Sequence, residues 1–237
     1  MRDEASGPSA VAPEPAHALE GGVAGLLALA DWRRRVFELY RRARKAPASE
    51  AAWTAWRDGR DALFRAHDAS PIPHAQRQAY TQTPFFAYDP GARVTAVLTD
   101  AEHERLEIGG SHGTFEATRF AVAGFELQGA LCSLDLFWLE GYGGGLFLPF
   151  RDATSGASSY GAGRYLLDTV KGADLGEDPG GLVLDFNFAY HPSCAYDPRW
   201  ACPLAPPRNR LEVGIEAGER LADRTDRVTP PPRARAS

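Results

Sequence analysis

The stretch TFEATRFAVAGFELQGALCSLDLFWL, residues 114–139, decides the fold. Apolar and polar residues alternate along much of it, the period of a strand with one buried face and not of a helix. Thr114–Val122, Phe125–Leu131 and Leu134–Leu139 read as strands, with Ala123-Gly124 as a turn between the first two. The same period continues outward, giving expected strands at Arg93–Leu98, Arg105–Ile108, Gly145–Pro149, Arg164–Val170, Leu182–Tyr190 and Leu211–Glu216. Asp89-Pro90-Gly91, Gly109-Gly110, Gly143-Gly144-Gly145 and Asp178-Pro179-Gly180-Gly181 are the turn signals among them. Many short strands with no helical pattern between them make the chain mainly β, an antiparallel β-sandwich or barrel-like domain, not a parallel α/β sheet. Residues 85–217 are expected to form one antiparallel unit.

Two α-helices precede the strands. In the first, over 20–46, Leu29, Trp32, Val36 and Leu39 or Tyr40 make one apolar stripe, and Ala46-Pro47 stops it. Ser49 reads as the N-cap of the second, whose buried face is Trp53, Trp56, Leu63 and Phe64. Arg57 and Arg60 lie beside those tryptophans; a stacked guanidinium is one reading, and a solvated helix face is the one favoured. Residues 1–19, rich in Pro, Ala, Ser and Gly, and residues 222–237, with Pro230-Pro231-Pro232, read as disordered. Residues 49–221 are left as one helix-plus-β domain.

With 237 residues, a single core-forming domain is the sensible expectation. A net charge of −5 argues against a nucleic-acid partner, which leaves a basic footprint. The apolar run Val23–Ala30 is too short to span a membrane and follows Asp3, Glu4, Glu14 and Glu20 instead of a basic leader. The cytoplasm is the expected compartment.

Three long strings are idiosyncratic: TAWRDGRDALFRAHDASPI (54–72), LFLPFRDATSGASSYGAGRYL (146–166) and LDFNFAYHPSCAYDPRWACPLAPPRNRLEVGIEAGE (184–219). On these the chain resembles the bacterial and archaeal family catalogued as domain of unknown function 1684, over roughly Trp53 to Glu219. The resemblance implies one β-rich unit with an N-terminal helical lead-in, and no activity comes with it. At His191 the chain departs from the family, which generally has a residue other than histidine there, often asparagine or threonine.

The middle string is read first as chemistry. Arg151, Asp152, Thr154, Ser155, Tyr160 and Arg164 are interleaved with Gly156, Gly161 and Gly163. Hydroxyls, turned-in backbone N–H groups and two guanidiniums suit a carboxylate or phosphate. The plain alternative is a hairpin whose loop is satisfied by Asp152 and Thr154 turn bonds, with Arg164 paired to Asp152 or Asp185. No Lys-Ser/Thr follows the glycines, so it is not a P-loop, and no helix follows, so it is not a dinucleotide fingerprint. In the third string, Asp185 and Asn187 share one face of an expected strand while Leu184, Phe186 and Phe188 take the other; Tyr190 follows.

Pro192, Pro198, Pro203, Pro206 and Pro207 make the next segment a fixed shape, since each removes backbone freedom. Cys194 and Cys202 sit in it, with His191 before them and Cys132 on a strand. Three relations are open: a metal site, a disulfide or redox pair worth ~2.6 kcal/mol of loop-closure entropy, or inert packing. The Cys-x7-Cys spacing is not a zinc hook, so no metal is expected and the two sulfurs are expected to be near each other. The six histidines are scattered and no G-x-S-x-G elbow exists. No residue pattern selects a cofactor. Two functions are carried: a binding module for a small, anionic molecule held by Arg151, Asp152, Thr154, Ser155, Tyr160, Arg164, Asp185, Asn187 and Tyr190 in a pocket between 146–166 and 182–209, or a structural or protein-binding β-domain using the aromatic loop 190–207 with Tyr196 and Trp200.

Overall fold

Helix α1, Gly22–Lys45, buries one side of its last turns through Tyr40 and ends on Arg42, Arg44 and Lys45, cations that suit the negative end of a helix. Helix α2, Glu50–Ala66, begins where the Ser49 hydroxyl accepts from the Ala52 N–H at 3.3 Å. Its buried side chains are Trp53, Trp56, Arg60, Asp61 and Phe64, spaced to share one face. Arg60 is therefore part of the packed face, and Arg57 lies 4.6 Å over the Trp53 ring and 4.9 Å over Phe85. The solvated face expected for both is corrected here: a guanidinium stacks on rings while keeping N–H groups free to bond. A short helix α3, His74–Arg77, follows. The structure is a computed structural model and describes residues 22–111 and 113–222. The segments 1–19 and 222–237, read as disordered, lie outside those residues except for Ala222.

Seven strands form one antiparallel sheet: β1 Arg93–Gly110, β2 Gly113–Leu127, β3 Ala130–Leu139, β4 Gly145–Phe150, β5 Arg164–Asp168, β6 Glu177–Asp178 and β7 Gly181–Asp185. Their order is β5-β4-β3-β2-β1-β7-β6, so the sheet is open and not closed into a barrel. The mainly β class after two helices is as the alternation implied. Boundaries differ. The two strands expected at 93–98 and 105–108 are one, with a register shift between Asp100 and Glu104. Ala123-Gly124 is no turn, because Gly124 pairs with Val97 on one side and Ser133 on the other. The chain reverses instead at Gln128-Gly129, whose φ values of 54° and 75° suit a two-residue hairpin.

Two other expected strands are corrected. The strand Leu182–Tyr190 stops at Asp185, whose Oδ1 accepts from the Asn187 N–H at 3.0 Å and starts a 3-10 turn over Phe186–Phe188. Phe186, Asn187 and Phe188 are then all buried, so the two-faced alternation does not hold. Residues 211–216 are irregular, although Leu211 and Ile215 are buried. Their side chains close the main core with Leu134, Leu136, Leu148, Phe150, Leu184 and Phe186. Each such side chain contributes roughly 1.5–3 kcal/mol on leaving water. A second cluster of Tyr40, Trp53, Trp56, Ala173 and Phe188 fastens the helices to the sheet. Trp56 and Phe188 rings are 4.8 Å apart, and Trp53 Nε1 donates to the Asn187 carbonyl at 2.8 Å.

Candidate functional site

Gly218 has φ +80°, and a Cβ there would stand 2.5 Å from the Phe186 carbonyl oxygen. Only glycine lets the chain turn so close to that backbone, and the turn delivers Glu219 into the interior. Around the buried Glu219 carboxylate, Arg60 Nη2 and the His191 N–H each stand 3.0 Å from Oε2. His191 Nδ1 lies 3.1 Å from Oε1, and the Tyr196 hydroxyl donates to the same oxygen. The other ring nitrogen, Nε2, accepts from the Tyr160 N–H at 3.1 Å, which assigns the ring proton to Nδ1, facing Glu219. Burial pushes the Glu219 carboxyl up, but His191 and Arg60 more than offset it and hold it below the usual range.

Arg60 has more donors than Glu219 uses. Its guanidinium lies 4.1 Å over the Phe64 ring and 5.3 Å from that of Tyr190. Nη1 is buried without a hydrogen-bond partner among the described residues, and so is the hydroxyl of Tyr40. Burial pushes the Tyr40 phenol well above its ordinary range, so it remains a neutral donor. Both residues line a cavity of about 60 Å³ under α1 and α2, walled by Trp32, Trp56, Phe64, Tyr165, Tyr190 and Tyr196. Among the described residues, Arg60 and Lys171 are the only Arg, Lys, Asp or Glu side chains lining it. A neighbouring cavity of about 250 Å³ shares Trp32, Lys171 and Ser193 with it and reaches Trp200, Cys202 and Pro203.

The residues singled out in the sequence fall into three groups. Arg164 and Asp152 face each other at 2.6 Å, 1% and 0% exposed. The guanidinium also donates to the carbonyls of Ala217, Glu219 and Ile215 at 2.5, 3.2 and 2.9 Å. Asp152 accepts from the Thr154 N–H and hydroxyl at 3.0 and 2.6 Å and from the Ile215 N–H at 3.1 Å, and Ser155 Oγ takes the Asp152 N–H at 3.1 Å. Arg151 joins this group through its backbone, which pairs with Asn209 and Leu211. Asp185 stands apart, 3.9 Å from Arg93 and 2.9 Å from Asn187 Nδ2, and burial raises its carboxyl. Asn187 in turn brackets the backbone N–H and carbonyl of Asp89 at 2.9 and 2.7 Å.

Tyr160 and Tyr190 belong to the third group, beside the cavities. The Tyr190 phenol is raised by burial, as is that of Tyr160. The two signature strings do meet, through the Arg164 bonds to 215–219, the Tyr165–Tyr190 backbone pair and the Tyr160–His191 bond. Cys194 and Cys202 are free thiols that hydrogen-bond each other, with the Cys194 N–H 3.4 Å from Cys202 Sγ. Among the described residues no group of three or more His, Cys, Asp or Glu is placed to hold a metal. No described helix is long and apolar enough to cross a membrane. Reading the sequence did not single out Tyr40, Lys171 or Glu219. Arg60 carried one signal, its i+4 place after Trp56 on the tryptophan face.

A family model described as "Protein of unknown function (DUF1684)" matches residues 78–220. A solution NMR structure of an uncharacterized protein of Haloarcula marismortui is similar at 34% identity, with a TM-score of 0.51, over 73% of this chain and 94% of that one. No curated protein matches.

Proposed function

For this chain, which belongs to the DUF1684 family of proteins of unknown function, we propose a binding protein whose ligand is a small organic anion seated against Arg60 beneath α1 and α2. The observation that carries the reading is the pair of buried donors without partners, Arg60 Nη1 and Tyr40 hydroxyl, lining one cavity. Leaving such a donor unpaired costs about 1–3 kcal/mol, more when it is charged, so a group that accepts from both is strongly favoured. The aromatic walls suit a flat or apolar body, and the two lining cations suit an acidic head. Tyr165 comes from the 146–166 string and Tyr190, His191 and Tyr196 from the 184–219 string, so both signatures contribute to this cavity.

Melting the wild type and Arg60→Leu in millimolar series of small carboxylates and phosphate esters tests the reading. The expectation is an anion that raises the wild-type Tm in proportion to its concentration and leaves Arg60→Leu unmoved. Equal shifts in both proteins, or none in either, would refute it. The reading of 190–207 as a protein-docking loop is less favoured, because Tyr196 points inward onto Phe64, ring centroids 5.2 Å apart, and onto Glu219.

A further inference from the structure

The rigid loop brings two thiols to one point beside the larger cavity. Cys194 closes into a 3-10 turn over Ser193–Ala195, and its N–H points at the Cys202 sulfur from 3.4 Å. Cys202 is 0% exposed to the outside, yet it lines the 250 Å³ cavity together with Lys171, Trp200 and Pro203. The Cys194 thiol donates to Cys202, and the Lys171 ammonium adds positive charge; together they outweigh burial and lower the Cys202 thiol. The Cys194 thiol is raised by the same hydrogen bond and by burial. The Cys194 N–H aimed at Cys202 Sγ favours negative charge on that sulfur over its neighbour. Cys132, half-buried on β3 and raised by burial, has no such arrangement described for it.

We propose that Cys194 and Cys202 are a hydroperoxide-reactive pair, with Cys202 as the attacking sulfur and Cys194 as the one that closes the disulfide. The Cys202 thiolate attacks the outer oxygen of the hydroperoxide; an S–O bond forms, the O–O bond breaks, and hydroxide or alkoxide leaves, protonated by solvent. Cys194 sulfur then attacks the sulfenic acid at Cys202; the S–S bond forms, the S–O bond breaks, and water leaves with the Cys194 proton. Two thiols lose two electrons and the peroxide gains them. Cys202 is reached only through the cavity it lines, which suits a small oxidant such as hydrogen peroxide or a small alkyl hydroperoxide. Two low-molecular-weight thiols reset the pair: the first attacks the partly exposed Cys194 and releases Cys202, and the second frees Cys194 and leaves as the small-molecule disulfide. This inference is independent of the anion reading and shares no variant with it.

The test is peptide mapping of the full chain without reductant after stoichiometric hydrogen peroxide. The expected product is a Cys194–Cys202 disulfide with Cys132 still reduced. Cys194→Ser should instead accumulate a sulfenic acid at Cys202 that dimedone traps. Cys202→Ser, or Cys202→Ala where serine disturbs the buried position, should slow peroxide consumption at least about tenfold. Oxidation falling first on Cys132, no disulfide in the wild type, or a wild-type rate no faster than that of free cysteine at the same pH would overturn the proposal. All three overturning outcomes are read on wild-type protein, so a variant that fails to fold leaves the decision intact.

Discussion

Arg164 Nη2 stands 2.6 Å from Asp152 Oδ2 with both side chains out of water, and the guanidinium's other bonds go to carbonyls of Ala217, Glu219 and Ile215. The pair is a staple: β5 and the 151–159 loop hold an irregular C-terminal stretch by side-chain bonds that replace a missing strand ladder. Removing one partner leaves an uncompensated buried charge. Arg164→Ala or Asp152→Ala should therefore lower unfolding free energy by about 3–5 kcal/mol, read by urea denaturation. The double variant Asp152→Ala with Arg164→Ala should lose less than the two single losses added together. Full additivity would show that the two side chains are not coupled.

Tyr40→Phe separates stability from binding. The buried hydroxyl has no partner among the described residues, so deleting it removes a desolvated group and creates no new orphan. The variant without ligand should be as stable as the wild type or up to about 1 kcal/mol more stable. Its thermal response to the anion identified with the wild type should weaken. A clear loss of stability in the free protein would show that the hydroxyl is satisfied.

Glu219 gives a pH dependence with a definite sign. Its folded value lies below the ordinary 4.5 because His191 and Arg60 outweigh burial. A depressed carboxyl contributes stability that is fully present above its unfolded value and is lost as pH falls through its folded value. The stability gap between wild type and Glu219→Gln should be widest above about pH 4.5 and shrink as the pH falls further. Denaturant titrations at four or so pH values between neutral and acid measure it; a gap that widens in acid would reverse the assignment.

Gly218→Ala tests how Glu219 is delivered. At φ +80° an alanine is strained, and its Cβ would meet the carbonyl oxygens of Phe186 and Ala189 at 2.5 and 2.7 Å. The expected loss is about 2 kcal/mol or more, accompanied by a weaker response to the anion as the Arg60 partner shifts. Wild-type stability in this variant would mean that the backbone relaxes freely there.

The strand pattern was legible because one face of β2 and much of one face of β3 are buried and alternation records that directly. Turns were less so. Ala123-Gly124 carries a turn signal, yet Gly124 pairs on both sides, and the actual reversal uses Gln128, a residue with no turn signature of its own. The strand after Leu182 was misjudged for a local reason: the Asp185 side chain captures the next turn's N–H and bends the chain away. Periodicity has no term for such a competing bond. The Arg164–Asp152 contact was legible as one of two pairings named in advance, and its burial was not. Arg60 and Glu219 are 159 positions apart. At that separation nothing in the sequence pairs the two: Arg60 carries only its place on the tryptophan face, and Glu219 alone looks like a solvated residue.

The lack of regular structure over residues 211–219 has a consequence for synthesis. Leu211, Ile215 and Ala217 fill the main core, while the carbonyls of 215, 217 and 219 are what Arg164 needs. A nascent chain that has exposed all seven strands still holds an Arg164 guanidinium with Asp152 but without its three carbonyl partners, and an open core, until residues 211–219 emerge from the ribosome. Cooperative closure therefore waits for translation to pass residue 219, and a chain stalled earlier presents the interior to chaperones and proteases as an unfinished sheet.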